Sequence, residues 1–182
     1  MNTILDILGA TIIGGIIFLI LLNLNIYSTQ IKYTSNTNLK IQGDAETLAS
    51  IIDYDLRKIG YKYNGTAITE AEPNKLSFYS DFDSSGTISS VTLTISDSTK
   101  VANTSNPHYK ILYLIINNDT LGGPSLGLTK LNFTYMNALG SKTTVLDSIK
   151  YVKAEIWLES PDKIDSSYEK TYWEITVNPR NI

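Results

Sequence analysis

The first two dozen residues limit most what this chain can become. Between Ile7 and Leu22 no side chain carries a charge, and Ile, Leu and Phe dominate the run Ile7-Leu-Gly-Ala-Thr-Ile-Ile-Gly-Gly-Ile-Ile-Phe-Leu-Ile-Leu-Leu22. Extended to Ile4 and Leu24, the stretch reaches the roughly 20 apolar residues that cross the hydrocarbon of a bilayer as a helix. A cleaved secretory signal is the competing explanation. It calls for a basic start, a shorter apolar stretch and a small-residue cleavage site, and none of the three is evident. A retained membrane helix over residues 1–24 is the expectation.

Asp6 interrupts the apolar run at its start, where a carboxylate facing lipid is costly. Two roles suit it. Thr3 followed three residues later by Asp6 has the spacing of a capping box, and the charge also suits the positive end of the helix dipole. Alternatively, Asp6 pairs with a cation inside a packed assembly. Both roles put Asp6 at the helix start, and residue type alone favours the cap. No Lys or Arg precedes the run, while Lys32 and Lys40 follow it, so charge bias by itself points to an outside N-terminus.

The helical pattern does not stop at Leu24. Steps of three and four from there meet Tyr27, Ile31, Thr34, Asn38, Ile41, Ala45, Leu48, Ile52, Asp55 and Ile59, mostly apolar and on one face of a helix over residues 25–60. Two places weaken it. Gly14-Gly15 lies inside the membrane portion, and Thr34-Ser-Asn-Thr-Asn38 is a run of poor helix formers, where the helix is free to fray or kink. The pattern is strongest from Asp44 to Gly60, which opens on acids, closes on Arg57 and Lys58, and stops at a glycine.

From Tyr61 the period becomes two. Strands are expected at Lys75–Ser80, Val91–Ser96, Tyr109–Asn117, Leu128–Met136, Ile149–Glu159 and Thr171–Asn178. Leu131, Phe133 and Tyr135 form one row. Val152, Ala154, Ile156 and Leu158 form an inward row with Lys153, Glu155 and Trp157 outward, and Trp173, Ile175 and Val177 form a third. Such alternation suits antiparallel strands with one face on a core. Loops are marked by Asn64-Gly65, Asp83-Ser-Ser-Gly86, Gly122-Gly-Pro124 and Gly140-Ser141. The expected fold is α+β: a long N-terminal helix, membrane-spanning and then amphipathic, packed on an antiparallel β domain over residues 61–182.

Composition excludes several classes. With a net charge of −3 and a pI near 5.1, no broad basic surface for nucleic acid is implied. Without cysteine there is no disulfide framework, thiolate metal site or cysteine nucleophile. His108, the only histidine, stands beside Pro107 and reads as a solvated loop residue. Asp53 and Asp55 near Arg57 and Lys58 read as a solvated, ion-paired helix face. No Gly-x-Ser-x-Gly elbow or phosphate-binding glycine loop occurs. Asn-x-Ser/Thr sequons at Asn64, Asn103, Asn118 and Asn132 are of a kind frequent by chance. No catalytic constellation is found, so an enzyme is not expected.

One stretch has the spacing of a cation site. Asp81, Asp83, Ser85 and Gly86 match the first half of a calcium loop, with oxygen ligands at positions one, three and five and glycine at six. The twelfth position is Thr92 rather than a bidentate glutamate, and Asp-Ser-Ser-Gly between two strands is an adequate polar turn. The turn is the preferred reading and calcium the alternative. No other cofactor is indicated.

The layout resembles the type IV pilin-like proteins, in particular the J-type minor pseudopilins and related minor pilins. The resemblance covers nearly the whole chain. Asn2-Thr-Ile-Leu-Asp6 is similar to the family's mature start, Phe-Thr-Leu-Ile-Glu. Leu48-Ala-Ser-Ile-Ile-Asp-Tyr-Asp-Leu-Arg-Lys-Ile-Gly-Tyr61 resembles the end of the long helix in minor members. Leu128–Gly140 and the late pair Ile149–Glu159 and Tyr172–Val177 match its strand style. The resemblance implies a filament subunit of a type II secretion pseudopilus or type IV pilus, with other pilin subunits, inner-membrane lipid and assembly machinery as partners. It also implies an extracytoplasmic C-terminal domain, an orientation taken here over the charge bias. Asp6 would stand for the acidic residue that neutralises a neighbouring subunit's N-terminal amine. Gly14 and Gly15 would fall where family helices lose regularity on assembly. Only Met1 precedes Asn2, without the family's basic leader ending in glycine, so the first mature residue would be Met1 or Asn2 in place of phenylalanine. The alternative function is a membrane-anchored extracytoplasmic β domain that binds a ligand or calcium without polymerising.

Overall fold

The computed structural model describes residues 2–97 and 104–182. The first element, α1, is a single α-helix over Asn2–Arg57. It is continuous through Gly14-Gly15 and through Thr34–Asn38, so the fray or kink anticipated at the second place is not present. Threonine hydroxyls along it donate back to carbonyls one turn earlier, as Thr11 does to Ile7 at 2.6 Å and Thr29 to Asn25 at 2.9 Å. That leaves these polar groups satisfied without breaking the helix.

The chain divides into two compact units, residues 1–39 and residues 40–182. In the first, the large apolar side chains from Ile4 to Leu39 are exposed. In the second, the helix contributes Ile41, Ala45, Leu48, Ala49, Ile52 and Leu56 to one buried core, and Ile59, just past its end, joins them. The face counted from the sequence is thus buried only from Ile41 onward, and Leu24, Tyr27 and Ile31 on the same stripe remain exposed.

Eight strands are present among the described residues: β1 Ile68–Glu72, β2 Lys75–Ser80, β3 Ser89–Ile95, β4 Leu112–Ile116, β5 Asp119–Gly122, β6 Leu128–Met136, β7 Tyr151–Ile164 and β8 Ser167–Val177. They form two antiparallel sheets, β1-β2-β3-β4-β5 and β6-β7-β8. The helix stripe, the inner rows of the first sheet (Ile68, Leu76, Phe78, Val91, Leu93, Leu112) and those of the second share a single apolar cluster. The sheets are also joined by polar contacts: Phe133 N–H donates to the Pro73 carbonyl, and the Tyr135 hydroxyl donates to the Glu72 carbonyl. Burial holds the Tyr135 phenol well above its ordinary range, consistent with its role as a buried donor.

β2 and β6 match the expected limits, and the inward rows of β6 and β7 are buried as expected. Two strands were not expected. β1 carries two glutamates, poor strand formers, but turns at Pro73-Asn74 onto β2, where Lys75 pairs with Glu70 at 2.7 Å. β5 follows Asn117-Asn118, both at positive φ, a two-residue turn whose twist suits a hairpin. Asp165-Ser166 makes the same kind of turn, so β7 and β8 run on to the pair Ile164–Ser167, well past the limits read from alternation. The third row lies opposite the buried row of β7, but burial fades along it from Val177 to Trp173, because β8 is an edge strand.

Asp55 corrects another expectation. Asp53 does pair with Arg57, at 2.8 Å. Asp55 instead is buried, since it lies on the stripe that covers the core. Burial raises its carboxyl from the ordinary 3.8 to about 6, with Lys58 opposing the shift. The folded chain therefore holds this proton more tightly than the unfolded chain. Its contribution to stability falls as pH rises from about 4 to about 6, and at pH 7 the ionised group costs roughly 2–3 kcal/mol. Asp55→Asn should raise stability at pH 7 by about 1–2 kcal/mol and flatten the pH dependence between pH 4 and 6. Denaturant titrations of both chains at pH 4, 5, 6 and 7 check this, and a parallel pH dependence in the variant would refute it.

Candidate functional site

Three regions carry the residues singled out from the sequence. The first is the start of α1. The helix already includes Asn2 and Thr3, so Thr3 sits within its first turn and no carboxylate lies in that turn. The capping-box arrangement is therefore not formed. Asp6 is exposed on a helix whose surrounding Ile4, Leu5, Ile7 and Leu8 are exposed as well, and no ion pair reaches it among the described residues. Gly14 and Gly15 are regular helical residues with open space around them. This helix is long and apolar enough to cross a membrane once, by length and composition. A helix with so much exposed apolar surface needs a nonaqueous or protein partner.

The second region is the loop after β2. Asp81 is fully buried. Its carboxylate accepts from Lys62 Nζ at 2.7 Å, and the Gly86 amide lies 3.1 Å from both of its oxygens. The hydrogen bond to Asp81, against a smaller effect of burial, holds the Lys62 ammonium above its ordinary range. Asp83 and Ser85 are exposed, and each accepts from a backbone amide two residues on: Asp83 from Ser85 at 3.1 Å, Ser85 from Thr87 at 3.3 Å. Thr92, at the twelfth position of the supposed cation loop, is hydrogen-bonded within the sheet to Ser77. The oxygen set is thus turned onto protein donors, and a cation would have to displace the Lys62 ammonium. No group of three His, Cys, Asp or Glu side chains able to hold a metal occurs among the described residues.

The third region was not legible in the sequence. His108 is more than half exposed yet paired: its Nδ1 lies 2.8 Å from Glu159 Oε2. Buried Asn106 donates to the same carboxylate at 3.1 Å and to the Ser160 carbonyl at 2.9 Å. The Tyr109 hydroxyl donates to the Glu159 carbonyl, and Tyr168 meets the His108 ring edge-on. Burial pushes the Glu159 carboxyl up, but hydrogen bonds from His108 and Asn106 and the nearby charges outweigh it, so its pKa is lowered. Burial pushes Tyr109 up to about 12. Some 50 residues separate the two halves of this cluster, so no local motif announces it. Ser105, the nearest serine in sequence, donates to Pro161 and Asp162 rather than to the imidazole, so the arrangement ties a loop to the β7–β8 hairpin instead of activating a nucleophile.

Of the sequons, Asn103 lies outside the described residues, and the Asn132 side chain is engaged with Glu155 at 2.9 Å. A groove of about 490 Å³ beside Pro73, Phe133 and Lys142 offers one charged group, and no acid or histidine converges on it. No family model, curated protein or solved structure matches this chain.

Proposed function

We propose that this chain is a structural subunit of a type IV pilin-like filament, a minor pseudopilin or minor pilin, and not an enzyme. Its N-terminal helix anchors it in the bacterial inner membrane, the β domain lies outside the cytoplasm, and the helix later packs among those of other subunits. One observation carries this reading: a single α-helix leaves its large apolar side chains exposed from Ile4 to Leu39 and gives a stripe from Ile41 to Leu56 to the core of a β domain. An ordinary anchor needs no stripe of its own helix inside the folded domain. An assembling helix uses both parts, the apolar residues up to Leu39 for contacts with other helices and the stripe from Ile41 to cover the core of its own domain. Asp6, a charge on the otherwise apolar helix start, supplies a partner for a neighbouring chain's amine. A buried pair of that kind sets register more than it adds stability.

Asp6→Ala tests the reading. The variant should insert in membranes as the parent does, judged by resistance to alkaline extraction, and should be lost from the sheared filament fraction. Normal incorporation of the variant into filaments would exclude the proposed role of Asp6. Absence of any filament fraction for the parent chain would favour a monomeric anchored domain.

A further inference from the structure

The second sheet ends at β8, and among the described residues no backbone hydrogen bond from outside the sheet reaches Ser167–Val177. Such an edge offers a row of outward amides and carbonyls to another strand. Edges are commonly blunted by shortness, proline or a bulge. β8 is 11 residues long and free of proline, and the irregularity in its ladder places the extra residues on β7, between Glu159 and Lys163. The apolar side is also left open here. Ile156 is buried, while Trp173 opposite it is 39% exposed.

We propose that β8 docks a second copy of this chain, antiparallel about a two-fold axis at Tyr172, joining two three-stranded sheets into one. The charges select both occupant and register. Lys170 and Glu174 lie two residues to either side of Tyr172 on the same face of the strand, with side chains 74% and 53% exposed. Self-pairing centred on Tyr172 sets Lys170 of each copy opposite Glu174 of the other, Tyr172 opposite Tyr172, and Thr171 opposite Trp173. It also matches the full strand, Ser167 against Val177. Centring on Lys170 or Glu174 opposes like charges, and centring on Thr171 or Trp173 leaves the charges without opposite partners. Opposite charges in facing positions favour a pair, and like charges disfavour it. Lys170 lies 3.5 Å from Glu159, while Glu174 shares both Lys153 and the Tyr172 hydroxyl, the latter at 2.6 Å, with Glu155, so a facing lysine would compete with these ties. A closed two-fold contact ends with two copies and does not propagate into fibres.

The chain contains no cysteine, so a single introduced thiol reports the contact directly. Tyr172→Cys in the full membrane-inserted chain should form an intermolecular disulfide on mild oxidation, since facing strand residues come within the span a disulfide needs. Thr120→Cys, on the exposed edge strand β5, should not. In the Tyr172→Cys background, Lys170→Glu alone and Glu174→Lys alone should each lower the cross-linked fraction about tenfold. Co-expressing the two variants should restore it as a heterodimer, because every facing pair is again of opposite sign. Equal cross-linking from both edges, no cross-link from the Tyr172→Cys chain, or no rescue on mixing overturns the proposal. The cross-link is scored in membranes, before any filament forms, so its failure leaves the filament reading standing and its success does not depend on it.

Discussion

Ile52→Ala should destabilise the residue 40–182 unit by about 3–4 kcal/mol, the middle of the range for emptying a buried isoleucine site. Ile52 is fully buried, and it sits on the one helix segment whose side chains share a core with both sheets. Ile31→Ala is the internal control. It lies on the same helical stripe but is exposed, and it should change the stability of that unit by no more than about 0.5 kcal/mol. Denaturant unfolding of the full chain in detergent, followed by the fluorescence of Trp157 and Trp173, reads both variants against the parent. Equal losses would mean that the stripe above Lys40 is packed as tightly as the stripe below it, contrary to the exposure described.

The same replacement at two glycines, one inside the helix and one at its end, should move stability in opposite directions. Gly43→Ala should stabilise by about 0.5–1 kcal/mol, because Gly43 is an interior helical residue with nothing near the new methyl group. Gly60→Ala should cost about 3 kcal/mol, combining the penalty of a left-handed backbone with a steric clash. Gly60 has φ +71°, and a Cβ there would stand 2.5 Å from the Asn181 carbonyl oxygen and 3.0 Å from Ala67. The surroundings leave little room to yield: the Gly60 amide donates to the Tyr79 carbonyl, tying the helix end to β2, and Ala67 is buried in the core. Thermal melts of the two variants under one condition suffice. A Gly60→Ala chain as stable as the parent would show that the close approach at the helix end does not exist in solution.

These two glycines show how far the sequence could be read. A glycine after a basic helix end predicts a stop at Gly60; the helix ends at Arg57, and Gly60 takes the positive φ of the turn that follows it. The identity of what crowds that glycine, a backbone carbonyl from near the other end of the chain, is not written locally. The strands divide in the same way. β2, β6 and the inward rows of β6 and β7 were legible because alternation is a local pattern. β1 and β5 were not, because two glutamates or an Asp-Thr-Leu-Gly become strands only through the hairpin partner that receives them. The loop Asp81–Gly86 was legible as a turn with the spacing of half a cation loop. What its carboxylate does was not, since Lys62 lies 19 residues away and reaches Asp81 only after the chain has folded.

By itself the sequence determined the long apolar helix, its amphipathic continuation and the change to two-residue alternation, since each follows from side-chain pattern against a fixed backbone period. The tertiary structure decided the rest. It buried the helical stripe only from Ile41, took Asp55 out of water, paired His108 with Glu159 and set β8 at the edge of its sheet. Each of these depends on what stands opposite a residue in space, and the pattern along the chain carries no information about that.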